Sequence, residues 1–312
     1  KQVSSMSPIK HTFRLSLILW CALAFFISPI AGAQCPVLPA QMMETAKHWD
    51  DQPVVGRTYK VQSWYVQDGD SLSLAGGHRL RLGQINTTEM ATKKQPIQAF
   101  AQQGKDQLKQ LLSKHQAIYV QLLPEEKDHY GRWLVSLYDG AGNSAEGALV
   151  DQGLAYVISM NEQGAKQCLW QQEAMAQKLG LGLWQAPSSI AAVRNVATLS
   201  AATGGFMRVG GLVADVSESQ QDWYISLAGS EDLGGFKSQV ALKVSKKLLA
   251  ASTLNIITEA QLEKWIGQKV TARGWLTWRR LSKKQRKKGF NAGVMTLYHL
   301  DMLERTPGAN AS

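Results

Sequence analysis

From Arg57 onward the chain alternates apolar and polar residues in short runs cut by turn residues. "RTYKVQSWYV", "SLSLAGG" and "HRLRLGQI" read as three strands of a meander, separated by Asp68-Gly69 and Gly76-Gly77. The spacing then changes. In "PIQAFAQQGKDQLKQLLSK" the apolar positions Ala99, Ala101, Leu108, Leu111 and Leu112 predict a helix opened by Pro96. "AIYVQLL" and "RWLVSLYD" supply two further strands. "AEGALVDQGLAYV" and "CLWQQEAMAQKLGLGLW" are predicted helical, the second closed by Gly180 and Gly182. Three strands, a helix, two strands and covering helices predict a mainly β fold with α, a five-stranded OB-type barrel over residues 57–184.

The same order recurs further on. Residues 185–204 carry small and polar residues and one charge, and are predicted to be a linker. "GFMRVGGLVADV", "DWYISLAG" and "SQVALKVS" read as strands. "TEAQLEKWIG" reads as a helix with Thr258 at its N-cap, and "QKVTARGWLTW" and "AGVMTLYHL" as two closing strands. A second OB-like β-barrel is therefore expected over residues 205–305, followed by a tail at 306–312. The repetition is architectural and has no residue-level counterpart.

The first 33 residues have another character. Lys10 and Arg14 precede the uncharged run from Leu15 to Ala33, and Ala31-Gly32-Ala33 fits a cleavage site. This predicts a signal peptide at 1–33, a lead at 34–56 and a periplasmic or secreted protein; an uncleaved N-terminal membrane anchor is the alternative. Cys35 and Cys168 would remain after cleavage, and an oxidising compartment predicts a disulfide between them, worth roughly 3–5 kcal/mol by loop entropy. Net charge is +10 with a pI near 9.5, which favours anionic partners.

Phosphodiester hydrolysis needs cationic donors for the phosphoryl oxygens, a carboxylate for the attacking water and, in many sites, a divalent cation held by oxygens. Arg79 and Arg81 share a face of the third strand, Glu89 follows its end, Asp68 and Asp70 occupy the preceding turn, and Arg132 follows "DHYG". His78, His115, His129 and His299 have no metal-ligand spacing, and neither a glycine-rich phosphate loop nor a Ser/His/Asp arrangement stands out.

In this order "DGDSLSL", "RLGQINTTE", "QP..AFA", "DHYGRWLVSLY", "LVDQGLAYV" and "GLGLW" resemble the thermonuclease (staphylococcal-nuclease-like) family, from about Arg57 to Trp184. The resemblance implies a calcium-dependent nuclease acting on DNA and/or RNA and leaving 3′-phosphate ends. It makes Arg81 and Arg132 the phosphate-binding arginines and Glu89 the general base. It makes Asp70 a calcium ligand, with Asn86 in the place of a second ligand aspartate and Thr87 offering its carbonyl. Asn86 keeps an oxygen but removes one charge, which predicts weaker calcium binding. Thr88 replaces a proline of the family, so the loop entering Glu89 is expected to be less restrained. Ser159 and Asn161 stand where the best-known member has tyrosines, which puts base stacking by this barrel in doubt.

"RGWLTWRRLSKKQRKKG" holds Arg273, Arg279, Arg280, Lys283, Lys284, Arg286, Lys287 and Lys288, with Trp275 and Trp278 interleaved. It is predicted to be a basic hairpin loop of the second barrel that binds nucleic acid. A catalytically weak or inactive nucleic-acid-binding protein is the alternative to the enzyme.

Overall fold

The computed structural model describes residues 35, 37–50, 52–93, 96–160, 164–185, 191–229, 240–251 and 262–305. The predicted signal peptide, the Thr258 cap and the C-terminal tail lie outside these residues. Among those described, no helix is long and apolar enough to cross a membrane.

After a short helix α1 (Ala40–Glu44), the first seven-stranded sheet contains β1 (Lys47–His48), β2 (Thr58–Val61), β3 (Trp64–Val66), β4 (Ser71–Leu74) and β5 (Arg79–Leu82). A separate strand β6 (Ile85–Thr87) and helix α2 (Ala101–Ser113) follow, and then β7 (Ile118–Lys127) and β8 (Trp133–Tyr138) return to the sheet. Its order is β1-β2-β7-β8-β5-β4-β3. β2 and β3 are parts of one predicted strand, interrupted at residues 62–63, so the two ends of the β2-to-β3 strip are joined through the chain. β5 pairs with β8 in parallel, which the crossover through α2 permits.

Alternation explains the core. Leu72, Leu80, Leu82, Val120, Val135 and Leu137 point inward and are buried against Leu108 and Leu112 of α2. Helix α3 (Ala145–Asp151), strand β9 (Ala155–Val157) and helix α4 (Gln167–Leu179) cover the barrel. The predicted helix through "LAYV" is thus corrected: Gly153, at φ 66°, ends the helical segment, and Ala155–Val157 pair antiparallel with β6. α2 begins five residues later than Pro96 suggested, because Phe100 takes a left-handed φ of 66° and blocks the helix before Ala101. Cys35 and Cys168 form the expected disulfide, tying the N-terminal lead to α4.

The second sheet contains β10 (Val193–Asn195), β11 (Gly205–Glu218), β12 (Asp222–Ala228), β13 (Val240–Ser245), β14 (Lys269–Trp278), β15 (Gly293–Leu297) and β16 (Leu303–Arg305). β11 pairs with both β12 and β14, so the circuit β11-β12-β13-β15-β14 closes on itself as a five-stranded barrel. Its third and fifth strands, β13 and β15, are parallel, as β5 and β8 are in the first. Helix α5 (Lys246–Ala251) follows β13, and α6 (Lys283–Lys287) lies inside the basic segment. The linker expectation needs correction. Val193–Asn195 join β11 in parallel, and Val196 and Leu199 are buried in the second core. Short polar-flanked apolar residues here serve a barrel edge.

A polar seam joins the barrels. Arg273 of β14, 2% exposed, donates to Glu173 of α4 and to the Val157 carbonyl of β9. It also donates to Glu304 of β16, which Arg208 of β11 grips in turn. Beside it, Tyr156, Ile158, Leu183 and Ala191 form an apolar cluster against which Phe206 and Trp275 pack.

Candidate active site and its cleft

The Asp68–Asp70 turn leads into β4, whose Ser71 stands in register with Arg81 of β5. Gly69 is required there: a Cβ would come within 2.8 Å of the Thr87 side chain. This close approach lets Asp70 Oδ2 accept from the Thr87 backbone N–H at 2.7 Å and from its hydroxyl at 3.0 Å. The Arg81 guanidinium lies 3.1 Å from the same oxygen. Arg81 is 3% exposed and also donates to the Ile85 carbonyl at 2.8 Å and to Asn86 Oδ1 at 2.9 Å. It is a buried fork fixed by acceptors of its own barrel.

Arg132 is held differently. The turn after β7 closes through Asp128, whose Oδ1 accepts from the backbone N–H of Tyr130 and of Arg132, and Gly131 takes a φ of 75° there. Asp128 Oδ2 then accepts from Arg132 Nε at 2.7 Å, and Arg132 Nη1 donates to Ser71 Oγ at 3.1 Å. Burial alone would raise the Asp128 carboxyl, but hydrogen bonds from Arg132 and its charge outweigh it and hold the group below its ordinary range. Asp128 was not among the predicted site residues; its place four positions before Arg132 in "DHYGR" was the available signal. Arg79, which shares the strand face, reaches the Tyr130 carbonyl at 2.7 Å instead.

Glu89 follows β6 and is exposed at the cleft. Its loop is more restrained than expected. Thr88 Oγ1 donates to the Ala99 carbonyl at 2.7 Å, and Glu89 and Gln98 exchange bonds through Gln98 Oε1 and the Glu89 carbonyl. Hydrogen bonds do here what a proline ring would do. Partial desolvation raises the Glu89 carboxyl above its ordinary value; the Asp70 charge adds to this, while Arg81 and Arg132 pull the other way. A raised carboxyl is a stronger base than a free glutamate.

Asp70, Arg81, Asn86, Thr87, Glu89 and Arg132 all line one cavity of about 590 Å³. The sequence-predicted cluster is therefore brought together. The second barrel contributes to the same cavity through Phe206, Trp275 and Tyr298, which sequence reasoning had not placed there.

The donor set of Asp70, Asn86 and the Thr87 carbonyl consists of oxygens and suits a hard divalent cation such as calcium. Asp68 lines the same cavity, and burial together with the Asp70 charge pushes its carboxyl up to about 6. Among the described residues, no group of three or more His, Cys, Asp or Glu is gathered as a metal cage. The set depends on amide and carbonyl oxygens, and Asn86 Nδ2 donates to the Thr87 carbonyl at 3.0 Å.

The basic segment divides. Arg273 is not a nucleic-acid ligand, because its guanidinium is buried among Glu173, Glu304 and the Val157 carbonyl. Arg279, Arg280, Lys283, Lys284, Arg286, Lys287 and Lys288 are exposed. Ser282 and Gln285 form a capping box that starts α6, so the segment is a structured loop between β14 and β15. None of the seven lines the cavity.

No curated protein matches the chain. Residues 79–186 match the family model described as Staphylococcal nuclease homologue, a span that holds Arg81, Asn86, Thr87, Glu89 and Arg132. The matched span runs from β5 to just past α4, so this part of the first barrel is similar to the staphylococcal nuclease homologues, and the similarity points to nuclease chemistry.

Proposed function

We propose that the chain is a calcium-dependent nuclease, secreted or periplasmic, that hydrolyses phosphodiester bonds of DNA and/or RNA and leaves 3′-phosphate ends. The observation that carries this reading is the convergence of Asp70, Arg81, Glu89 and Arg132 on one cavity. Glu89 orients a water and takes its proton. Arg132, held at Nε by Asp128, turns its remaining N–H groups to the phosphoryl oxygens, and Arg81 supplies positive charge from beneath. Asp70, Asn86 and the Thr87 carbonyl would hold calcium, which when bound polarises the phosphoryl group. The disulfide is consistent with an oxidising compartment.

The test is incubation of purified protein with labelled DNA and RNA, with calcium and then with chelator, and phosphatase treatment of the fragments. Calcium-dependent cutting with phosphatase-sensitive 3′ ends is expected; intact strands in calcium would end the reading.

A second reading, a nucleic-acid-binding protein with little or no cleavage, draws on a specific contact. Asn86 spends its amide on the Thr87 carbonyl, and Arg81 spends its fork on acceptors of its own barrel. Binding that persists in chelator without cutting in calcium would favour it.

A further inference from the structure

The cavity that holds the arginines has a second chemical character, and the second barrel supplies it. Phe206 of β11, Trp275 of β14 and Tyr298 just after β15 reach the same 590 Å³ space as Arg81, Glu89 and Arg132. Two of these aromatics continue a series from the first barrel: Tyr156 meets Phe206 at 5.0 Å, and Phe206 meets Trp275 edge-on at 5.0 Å and 71°. Tyr156 is buried and serves as backing, while Trp275 keeps part of its surface open and Tyr298 is 46% exposed. Thr277 and Thr296 line the cavity beside them and add hydroxyls.

Trp275 and Tyr298 keep part of their aromatic surface open in the cavity that Arg132 also lines, and that pairing of flat apolar surface with positive charge limits what fits it. The occupant must offer an anion to Arg132 and a flat apolar face to Trp275 and Tyr298. A nucleotide unit does both. The volume falls within the roughly 300–1,000 Å³ that takes a small molecule. The seam fixes the two walls relative to one another, because Arg273 is buried between Glu173 and Glu304. On the first-barrel side Tyr130 also lines the cavity, 62% exposed, while the Ser159 hydroxyl is committed to Asp301 of the second barrel at 2.6 Å.

We infer that Trp275 and Tyr298 of the second barrel form a nucleobase-stacking subsite of the cleft, so that its substrate is an unpaired nucleotide of a single strand. This rests on the nuclease reading for the identity of the phosphate side, and it adds that the second barrel is part of the substrate site. A base inside a duplex is stacked between its neighbours and cannot reach the platform while its phosphate sits at Arg132. Stacking is tolerant of base identity, so the subsite selects strandedness over sequence.

The test compares two single strands of equal length on the full chain carrying Glu89→Gln, in calcium buffer, by fluorescence anisotropy. One is oligothymidylate; the other has the same phosphates on abasic tetrahydrofuran units. The base-bearing strand is expected to bind roughly five- to hundredfold tighter, the range a stacked base supplies. Tyr298→Ala, at a half-exposed position, should cut that ratio, and Tyr298→Phe should restore it. Trp275→Leu should cut it too. Equal binding of the two strands, failure to bind either, or an unchanged ratio in both Tyr298→Ala and Trp275→Leu overturns the inference. Cleavage by the unaltered protein is scored separately: cutting without base preference sinks the subsite alone, and base preference without cutting sinks the nuclease alone.

Discussion

Arg273 Nη1 donates to both carboxylate oxygens of Glu173, each at 2.7 Å, across the seam between the two barrels. Both side chains are 2% exposed. A buried pair of this kind adds little net stability against an apolar replacement, yet removing one member strands the other. Arg273→Ala leaves Glu173 without its cation and is expected to cost about 3–5 kcal/mol. Urea denaturation would read this as a lower midpoint. A change below about 0.5 kcal/mol, the scale of an ordinary surface substitution, would mean that the seam does not hold in solution.

The same seam predicts acid sensitivity. Burial alone would raise the Glu304 carboxyl, but the charges and hydrogen bonds of Arg273 and Arg208 outweigh it and hold the group below its ordinary range. A folded-state value below the unfolded one gives stability that is present above the ordinary carboxylate pKa and is lost as pH falls through the lowered value. Glu304→Gln should therefore destabilise the chain at neutral pH and flatten the fall in melting temperature on acidification. Parallel melting curves for both proteins across the acid range would reveal otherwise.

On the proposed function, Asn86 weakens the calcium site. Its Nδ2 donates to the Thr87 carbonyl at 3.0 Å and its Oδ1 accepts from Arg81, so two of the expected ligand oxygens are already engaged. An aspartate has no amide to donate, frees that carbonyl and adds a charge. Asn86→Asp is expected to lower the calcium concentration for half-maximal cleavage on the order of tenfold, since affinity follows ligand charge. An unchanged calcium titration would show that residue 86 is not a ligand.

These residues also mark how far the sequence could be read. Period-two alternation and the glycine turns make the strands of both barrels legible, because each inward position must be apolar. The spacing of Asp70, Arg81, Glu89 and Arg132 makes their convergence legible as a resemblance. Arg273 was misread because its neighbours are basic and its partners lie far away, 100 residues back at Glu173 and 31 ahead at Glu304. Only tertiary contact can turn a residue of a basic run inward. Trp275 was read as an aromatic of a binding loop, but its place in the first barrel's cleft depends on how the barrels pack. The start of α2 at Ala101 was hidden for a local reason, the positive φ of Phe100, which no apolar spacing encodes.

What remains of the basic segment has a role separable from the cleft. Seven cations, Arg279 to Lys288, are exposed on and around α6, and none lines the cavity. On the proposed function they would hold flanking phosphates, not the scissile one. Such contacts contribute through counterion release and so depend on salt. Replacing Lys283, Lys284, Lys287 and Lys288 by Gln should weaken binding most at low salt and reduce the log–log salt slope by up to about 0.7 per lost contact on single strands. Cleavage at saturating substrate should stay near that of the unaltered chain, because Glu89 and Arg132 are untouched. A salt slope that does not move would remove nucleic acid as the partner of this loop and leave α6 as a solubilising surface.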